Sequence, residues 1–380
     1  MKHRPTRAPH RVCARQLLLL RAACGPLAEA RGAWLAWREK VSPAEADAVE
    51  WPLLPWLSSR AGELGVSGDD RAVLDSMRRF VWMKNQSHVS VAAALCEELA
   101  TIGLQPLFVK GLPLMLTRYR DTGRCRLSDV DWQLPVEQVE PAVRLLLRRG
   151  WLLEKNMVRN GQPVLDPREF AGVHAVHHVL RRDGEGTCCE LHWNLLRFPL
   201  PEVDERPLFE AAQPLTVRGG SGLMPCPADL LLQVMVRGFS WDGAHRSLRW
   251  VVDACLLAGN EGTDWGRFAA EAERRGVVPL VQDAFVFLND VAPGTIPESV
   301  CLRLASLPAT PRSRAACLLL SRRWRALRPA DLIPLARLLR EGFVRRKRAR
   351  VMLGYDANGA RMLLRILGRS AGWKASNDSP

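Results

Sequence analysis

The chain has 380 residues, 47% of them hydrophobic, and a formal net charge of +14 from 54 Lys and Arg against 40 Asp and Glu. This composition excludes an intrinsically disordered chain and is sufficient for two or three packed units. The positive charge favours anionic partners such as nucleotides, nucleic acid or an acidic surface, although the Arg, Ala and Leu usage of a GC-rich genome gives the same excess. Charge alone therefore does not identify the partner.

The cysteines and the apolar segments indicate the compartment. The ten cysteines form no Cys-x-x-Cys pair, and only Cys188 and Cys189 lie close together. Adjacent cysteines suit neither an ordinary disulfide nor a tetrahedral zinc site, which predicts reduced thiols. The basic N-terminus imitates a signal peptide, but Arg21 interrupts its apolar run, and no segment has the roughly 18 apolar residues of a spanning helix. We therefore expect a cytoplasmic protein with no membrane span.

The first part of the chain predicts helices followed by strands. Residues 11–100 have apolar residues at helical spacing, interrupted by one Gly-rich, acidic turn. The segment 87–102 predicts an amphipathic helix that ends near Gly103 and leads into a short buried strand, LQPLFVKG. After a polar turn at 121–123, the segment SDVDWQLP predicts a second strand. A helix followed by buried strands is typical of the start of an α/β unit.

The remaining segments complete an α+β fold. VEQVEPAVRLLLRRG predicts a helix, because it has acids early, arginines late and Gly150 as a stop. VHAVHHVLRR and TCCELHWNLL predict two strands around a turn at 183–186, and from about Pro227 to Arg365 the pattern is helical. We predict a small mixed β-sheet core with N-terminal helices and a C-terminal α-helical domain. The predicted parts are a helical region 1–86, the core 87–205, the helical domain 206–372 and a polar tail 373–380.

The clearest chemical feature is the triplet Asp129-Val130-Asp131. The period of two in a strand puts both carboxylates on one face and Val130 on the other. Two converging acids can hold one or two Mg²⁺ ions, which take carboxylate oxygens and bridge to phosphates. An isolated Asp-x-Asp is more often a solvated turn, but here the flanking residues are apolar, and two buried carboxylates need a cation. We therefore predict Asp129 and Asp131 as metal ligands.

Two further segments carry candidate site residues. Glu190 lies in the predicted strand CCELHW, with His192 on its face and Leu191 on the other. Aimed at the same metals, it would complete a phosphoryl-transfer centre; the alternative is an edge strand with an exposed Glu and His. Lys110-Gly111 closes the first strand, where Gly lets backbone N–H groups approach a phosphate and Lys can offset its charge. The alternative for that pair is an ordinary turn.

In their order, these segments resemble the uncharacterised nucleotidyltransferase family of the polymerase-beta-like superfamily. Its members have a helix, a strand ending in Leu-Lys-Gly, an Arg, Asp-Ile-Asp in a strand, a helix ending in Gly and an aromatic, and a later acid followed by Leu-His-Trp. This chain has FVKG, Arg124 or Arg126, SDVDWQL, Gly150-Trp151 and ELHW in the same order. The resemblance extends over roughly residues 90–285, including the helical segments LRWVVDACLLAG and DWGRFAAEAERRGV.

The resemblance implies that the sheet region is a nucleotidyltransferase core. It implies a metal-dependent enzyme that moves a nucleoside monophosphate from an NTP to a hydroxyl acceptor, with Mg²⁺ or Mn²⁺ as cofactor. Asp129, Asp131 and Glu190 would be the catalytic residues and metal ligands. The acceptor, a small molecule, sugar, peptide or protein, is not determined by the sequence, and nucleic acid is a less favoured partner.

The resemblance also implies contacts to the nucleotide phosphates. Lys110 and Gly111 stand where the wider superfamily has Gly-Ser, so no Ser hydroxyl reaches the phosphates from that turn. The family arginine is either Arg124 or Arg126. Trp132 and Gln133 stand where the family usually has aliphatic residues. Two alternatives stay open: a non-catalytic protein that binds nucleotide or nucleic acid, and a kinase-like enzyme, which would release ADP rather than pyrophosphate.

Other polar segments favour structural roles. The histidines of VHAVHHV, His174, His177 and His178, have a spacing that can bind a transition metal, but a nucleotide-loop or surface role is favoured. Asp253 is predicted to be a buried, hydrogen-bonded acid that pairs with Arg249 one helical turn earlier. The basic run 341–351 can bind RNA or anionic lipid, but a solvated helix face is favoured.

Overall fold

The structure is a computed structural model, and it describes most of the chain. The described residues are 12–153, 187–196, 200, 203–239, 248–259, 262–321 and 328–341, together with the backbone of short strands at 158–159, 162–163 and 177–182. The predicted turn at 183–186, His174, nearly all of the basic run 341–351 and the tail 373–380 lie outside the described residues.

The N-terminal region consists of helices, as predicted. They are α1 (Ala14–Cys24), α2 (Leu27–Arg38), α3 (Leu54–Leu64) and α4 (Gly68–Ala100). Gly65, with φ 73°, ends α3 in the left-handed conformation that glycine favours. The helix predicted over 87–102 is the second half of α4, which already begins at Gly68 with Asp69 and Asp70 in its first turn, where acids offset the helix dipole.

A seven-stranded mixed sheet forms the centre of the fold. Its strands are β1 (Leu107–Phe108), β2 (Val130–Gln133), β3 (Trp151–Leu153), β6 (His177–Arg182), β7 (Cys188–His192), β8 (Gln213–Val217) and β9 (Gly220–Met224). Their order is β3-β6-β7-β2-β1-β9-β8. Strands β2 and β7 are parallel, whereas β1 and β2 are antiparallel. The strands β4 (Val158–Arg159) and β5 (Gln162–Pro163) form a separate pair.

The β8–β9 hairpin is an element that the sequence did not predict. Its strand β9 pairs in parallel with β1 and so joins the central sheet. The sheet therefore continues beyond residue 205, and α4 runs through residues 86 and 87 without a break. The division of the chain predicted from the sequence has its boundaries at 86/87 and at 205/206.

The two faces of the sheet differ in character. One face carries fully buried apolar side chains, among them Phe108, Trp132 and Leu191, and these belong to the main hydrophobic core. Helices α4 and α6 (Val136–Arg148) both pack on the sheet. The opposite face carries Asp131 and Glu190. Beside them, Leu107 and Val109 of the β1 segment form a small apolar cluster with Leu208 of α7 (Arg206–Glu210).

The C-terminal part is helical, as predicted. Its helices are α8 (Pro227–Phe239), α9 (Arg249–Ala258), α10 (Trp265–Arg274), α11 (Val278–Val291), α12 (Glu298–Ser306), α13 (Pro311–Ser321) and α14 (332–341). In α9 the carboxylate of Asp253 accepts a hydrogen bond of 2.5 Å from the hydroxyl of Tyr119 and lies 3.4 Å from Arg249 Nε. The predicted buried acid and its helical ion pair are therefore confirmed.

The cysteines are free thiols, as predicted. All ten cysteines fall within the described residues, and none forms a disulfide. Among the described helices, none combines the length and the apolar character that crossing a membrane requires.

Candidate active site

Asp131 and Glu190 lie side by side on neighbouring parallel strands. Asp131 of β2 is in register with Glu190 of β7, and their neighbours Val130 and Leu191 are fully buried on the other face. Registered residues of paired strands point to the same face, so the two carboxylates converge. The side chain of Asp131 is only 4% exposed and that of Glu190 is 23% exposed.

Asp129 lies two residues before Asp131 on the same segment. It precedes β2 by one residue, is half-buried, and accepts a hydrogen bond of 2.9 Å from the hydroxyl of Ser128. Burial raises the pKa of Asp129, and the charge of Asp131 raises it further. The three acids Asp129, Asp131 and Glu190 are called the carboxylate cluster below.

His192 joins the two buried acids and was not predicted as a site residue. Its Nε2 lies 2.8 Å from Asp131 Oδ1 and 3.6 Å from Glu190 Oε2. One donor atom each of Asp131, Glu190 and His192 lies within 4.8 Å of the others. These three residues are called the donor triad below. The signal was present in the sequence, since His192 follows Glu190 by two residues in a strand, but a strand position alone gives no distance.

The ammonium group of Lys110 lies within this triad. Lys110 Nζ donates a hydrogen bond to Asp131 Oδ1 and lies 3.5 Å from Glu190 Oε2 and 3.2 Å from His192 Nε2. Its backbone has φ 61° at the turn from β1 into α5 (Gly111–Leu114), and its N–H donates a hydrogen bond of 3.0 Å to Gln233 Oε1 of α8. The structure therefore brings Lys110 to the predicted acids.

The charges of the cluster shift its pKa values in opposite directions. Burial opposes ionisation of Asp131, but Lys110 and His192 outweigh it and hold the pKa of that carboxyl well below its usual range. Burial, with the nearby charge of Asp131, raises the pKa of Glu190 to about 7. Arg237 of α8 also lowers the pKa of Asp131 and is a cation that the sequence did not indicate.

The two candidate arginines make their described contacts elsewhere. Arg124 Nε lies 3.3 Å from Asp121 Oδ2, an oxygen that also accepts a hydrogen bond of 2.9 Å from Arg78. The guanidinium of Arg126 lies over the ring of Trp51, 5.2 Å from its centroid. The contacts that the structure gives for both arginines are thus with neighbours other than the carboxylate cluster.

Gly111 packs closely against Leu127 at the turn that holds Lys110. A Cβ on Gly111 would lie 2.7 Å from Leu127 Cδ2, closer than real Cβ atoms approach a neighbour. This close approach brings α5 against the segment that leads into Asp129. Any role of Gly111 toward a phosphate stays a prediction.

Comparison with known proteins now identifies the family. The sequence model of the uncharacterised nucleotidyltransferase family matches residues 35–293, more than half of the chain. The chain belongs to this family. Its matched region includes the carboxylate cluster and the donor triad as well as helices α8, α9 and α10 on the C-terminal side.

This nucleotidyltransferase family member was also compared with solved structures and with curated proteins. It is similar to the crystal structure of an antigenic nucleotidyltransferase-like protein from Paracoccidioides brasiliensis, with 14% sequence identity and a TM-score of 0.35. That similarity covers 59% of this chain and 95% of the other. A search among curated proteins gave no match.

The residues of this family member fit a divalent cation. Carboxylate oxygens suit Mg²⁺ and Mn²⁺, and an imidazole nitrogen suits the transition metals. The donor triad offers two carboxylates and one imidazole nitrogen within 4.8 Å. Asp129 adds a third carboxylate whose pKa is raised by burial and by the charge of Asp131.

Proposed function

We propose that this protein transfers a nucleoside monophosphate from an NTP to a hydroxyl acceptor, such as a small molecule, sugar, peptide or protein, in a metal-dependent reaction in the cytoplasm. The observation that carries the proposal is the register of Asp131 with Glu190 on parallel strands, with Asp129 two residues before Asp131. Membership of a nucleotidyltransferase family supports it. Two parallel strands that aim acids at one point suit the binding of a metal–triphosphate complex.

The carboxylates would hold the cation. Asp129, Asp131 and Glu190 are the proposed ligands, and His192 stands close enough to be a fourth. Bound Mg²⁺ or Mn²⁺ supplies positive charge against the phosphate oxygens and the leaving pyrophosphate. The sheet supplies a rigid base, because Asp131 and Glu190 lie on strands whose other face is in the main core.

Glu190 and the neighbouring cations have distinct proposed roles. Glu190, the more exposed of the two registered acids at 23%, would help deprotonate the acceptor hydroxyl as a general base. Lys110 would offset the negative charge of the triphosphate. Arg237, whose charge already acts on Asp129 and Asp131, would add to that field.

The decisive experiment measures the product released from each of the four NTPs. Purified protein is incubated with Mg²⁺ or Mn²⁺ and a mixed pool of hydroxyl acceptors, and pyrophosphate and the corresponding nucleoside diphosphate, ADP in the case of ATP, are quantified. We expect pyrophosphate release that falls by a factor of about 10³ in the double variant Asp129→Asn plus Asp131→Asn. The matched control, Asp69→Asn plus Asp75→Asn on the surface of α4, removes the same charge away from the site.

Three other outcomes would replace the proposal. Release of ADP instead of pyrophosphate would indicate a kinase-like phosphoryl transfer at the same site. Binding of Mg-NTP without any turnover would indicate a non-catalytic nucleotide-binding protein. Equal turnover in the double variant and the wild type would remove the carboxylates from the reaction altogether.

A further inference from the structure

The ammonium group of Lys110 lies among the atoms that a metal ion would need. It donates a hydrogen bond to Asp131 Oδ1 and lies 3.5 Å from Glu190 Oε2 and 3.2 Å from His192 Nε2. These are residues of the donor triad. One protein cation therefore contacts all three residues that can bind a metal cation.

A divalent ion and this ammonium exclude each other by charge. Two like charges within about 4 Å repel strongly in a part-buried site, where the effective dielectric constant is far below that of water. Asp131 is 4% exposed and Lys110 is 15% exposed, so solvent screens the pair only weakly. A metal that binds Asp131 through Oδ1 must therefore displace Lys110 from that oxygen.

The backbone of Lys110 is held in place, whereas its ammonium group can move. Its φ of 61° lies in the region that favours glycine, and its N–H is held by Gln233 Oε1 at 3.0 Å. A lysine stem has four rotatable methylene groups and a compact charge, so the head can leave Asp131 while the backbone stays in place. The turn thus anchors a movable cation beside the acids.

We propose that Lys110 is an internal counter-cation that competes with divalent metal for the donor triad, so that free metal binds weakly until an anion draws the ammonium away. The competition stands on the contacts of Lys110 alone. Naming the anion as the triphosphate of an NTP rests on the proposed function. If a triphosphate recruits Lys110, metal and nucleotide promote each other's binding, because coupling between two ligands is reciprocal.

The test measures Mn²⁺ binding without nucleotide, by the electron paramagnetic resonance signal of free Mn²⁺. We expect Lys110→Met to bind Mn²⁺ tighter than the wild type by a factor of about ten to a hundred, because the competing charge is gone. Lys110→Gly should show the same gain, and it suits the backbone at this position if Lys110→Met folds poorly. Lys40→Met, at an exposed position on the protein surface, should leave Mn²⁺ affinity unchanged.

Two further measurements test whether Mn²⁺ binds at Asp131 and whether Lys110 stabilises the acids when no metal is bound. Adding Asp131→Asn to Lys110→Met should abolish the gain, since the ion would lose its central ligand. In EDTA, Lys110→Met should melt at a lower temperature than the wild type, because Asp131 and Glu190 then repel without a cation, and Mn²⁺ should restore the melting temperature.

The inference is overturned if neither Lys110 variant binds Mn²⁺ more tightly than the wild type, or if the gain persists after Asp131→Asn. Its failure is distinguishable from failure of the proposed function. Tighter Mn²⁺ binding in Lys110→Met supports the counter-cation even if the wild type releases no pyrophosphate. Pyrophosphate release with unchanged Mn²⁺ affinity supports the enzyme and rejects the counter-cation.

Discussion

The carboxylate cluster and the ion pairs around Arg275 both hold acids against cations, yet the pKa of Glu190 in the first and that of Glu271 in the second move in opposite directions. Arg275, 2% exposed, lies 2.7 Å from Glu205 Oε2 and 3.0 Å from Glu271 Oε2. Burial opposes ionisation of Glu271, but Arg274 and Arg275 outweigh it and lower its pKa. At the sheet, burial and the charge of Asp131 raise the pKa of Glu190 to about 7.

The balance of charge explains the difference. Around Arg275, two arginines face two glutamates, and the guanidinium forks satisfy the carboxylate oxygens in pairs. At the sheet, Glu190 lies beside a second carboxylate, that of Asp131, which raises its pKa, and Lys110 Nζ lies 3.5 Å from Glu190 Oε2. The guanidinium pairs around Arg275 hold the fold together, whereas the convergence of Asp131 and Glu190 on one point suits a bound cation, and perturbed pKa values of this kind are common at functional sites.

The largest expected effect separates the roles of the two regions. We predict that Asp129→Asn lowers the rate of nucleotidyl transfer by a factor of about 10² to 10³ while changing the free energy of unfolding far less, because burial and Asp131 already oppose its charge. Steady-state pyrophosphate release and urea denaturation of the same samples measure both quantities. Glu271→Gln should show the reverse pattern, with lower stability and a near wild-type rate. Equal losses of activity in both variants would contradict the assignment of activity to one region and stability to the other.

A charge removed from the ion pairs around Arg275 should affect folding. Arg275→Met is expected to lower the free energy of unfolding by about 3 to 5 kcal/mol, because Glu205 and Glu271 lose a buried partner. Arg274 also contacts Glu271, but its side chain is 30% exposed, so Arg274→Met should lower stability by about 1 kcal/mol or less. Urea denaturation checks both, and similar losses in the two variants would contradict the prediction.

Packing between α8 and α9 offers a test of the helical half that involves no charge. A Cβ on Gly238 would lie 2.1 Å from Cγ of Trp250, so Gly238→Ala should lower the free energy of unfolding by about 1 to 3 kcal/mol. Gly62, in α3, has no atom within 4 Å of its added Cβ, and Gly62→Ala should stabilise by about 0.5 to 1 kcal/mol. Thermal melts should therefore move in opposite directions. A matching shift in both would reject this packing argument.

The smallest expected effect concerns Gln133, which lies on the sheet face that carries Asp131 and Glu190. Gln133 lies two residues after Asp131 and is fully buried, and within the described part of the chain neither its amide oxygen nor its nitrogen has a hydrogen-bond partner. Replacing it with the similarly sized methionine removes that unmet polarity, so Gln133→Met should stabilise by up to about 1 kcal/mol. A lower melting temperature in this variant would show that the amide has a bound partner.

Local patterns in the sequence predicted a large share of this protein. Helical spacing gave α6 and the C-terminal helices, and the period of two in SDVDWQL and CCELHW gave the faces of Asp131 and Glu190. The reason is that such periods depend on neighbours a few residues apart, which the sequence shows directly. The order of the segments was enough to identify the family before any coordinates.

Tertiary structure decided the rest, because it depends on residues that are distant in the chain. The contacts of His192 with the acids require β7 to pair with β2, and the charge of Arg237 acts on Asp131 only because α8 folds back near that strand. The placement of Lys110 among the donor atoms depends on a backbone turn that no spacing rule gives for a non-glycine residue. The sequence thus determined that Asp131 and Glu190 share one face of the sheet, and only the packed sheet and helices determined which other groups surround them.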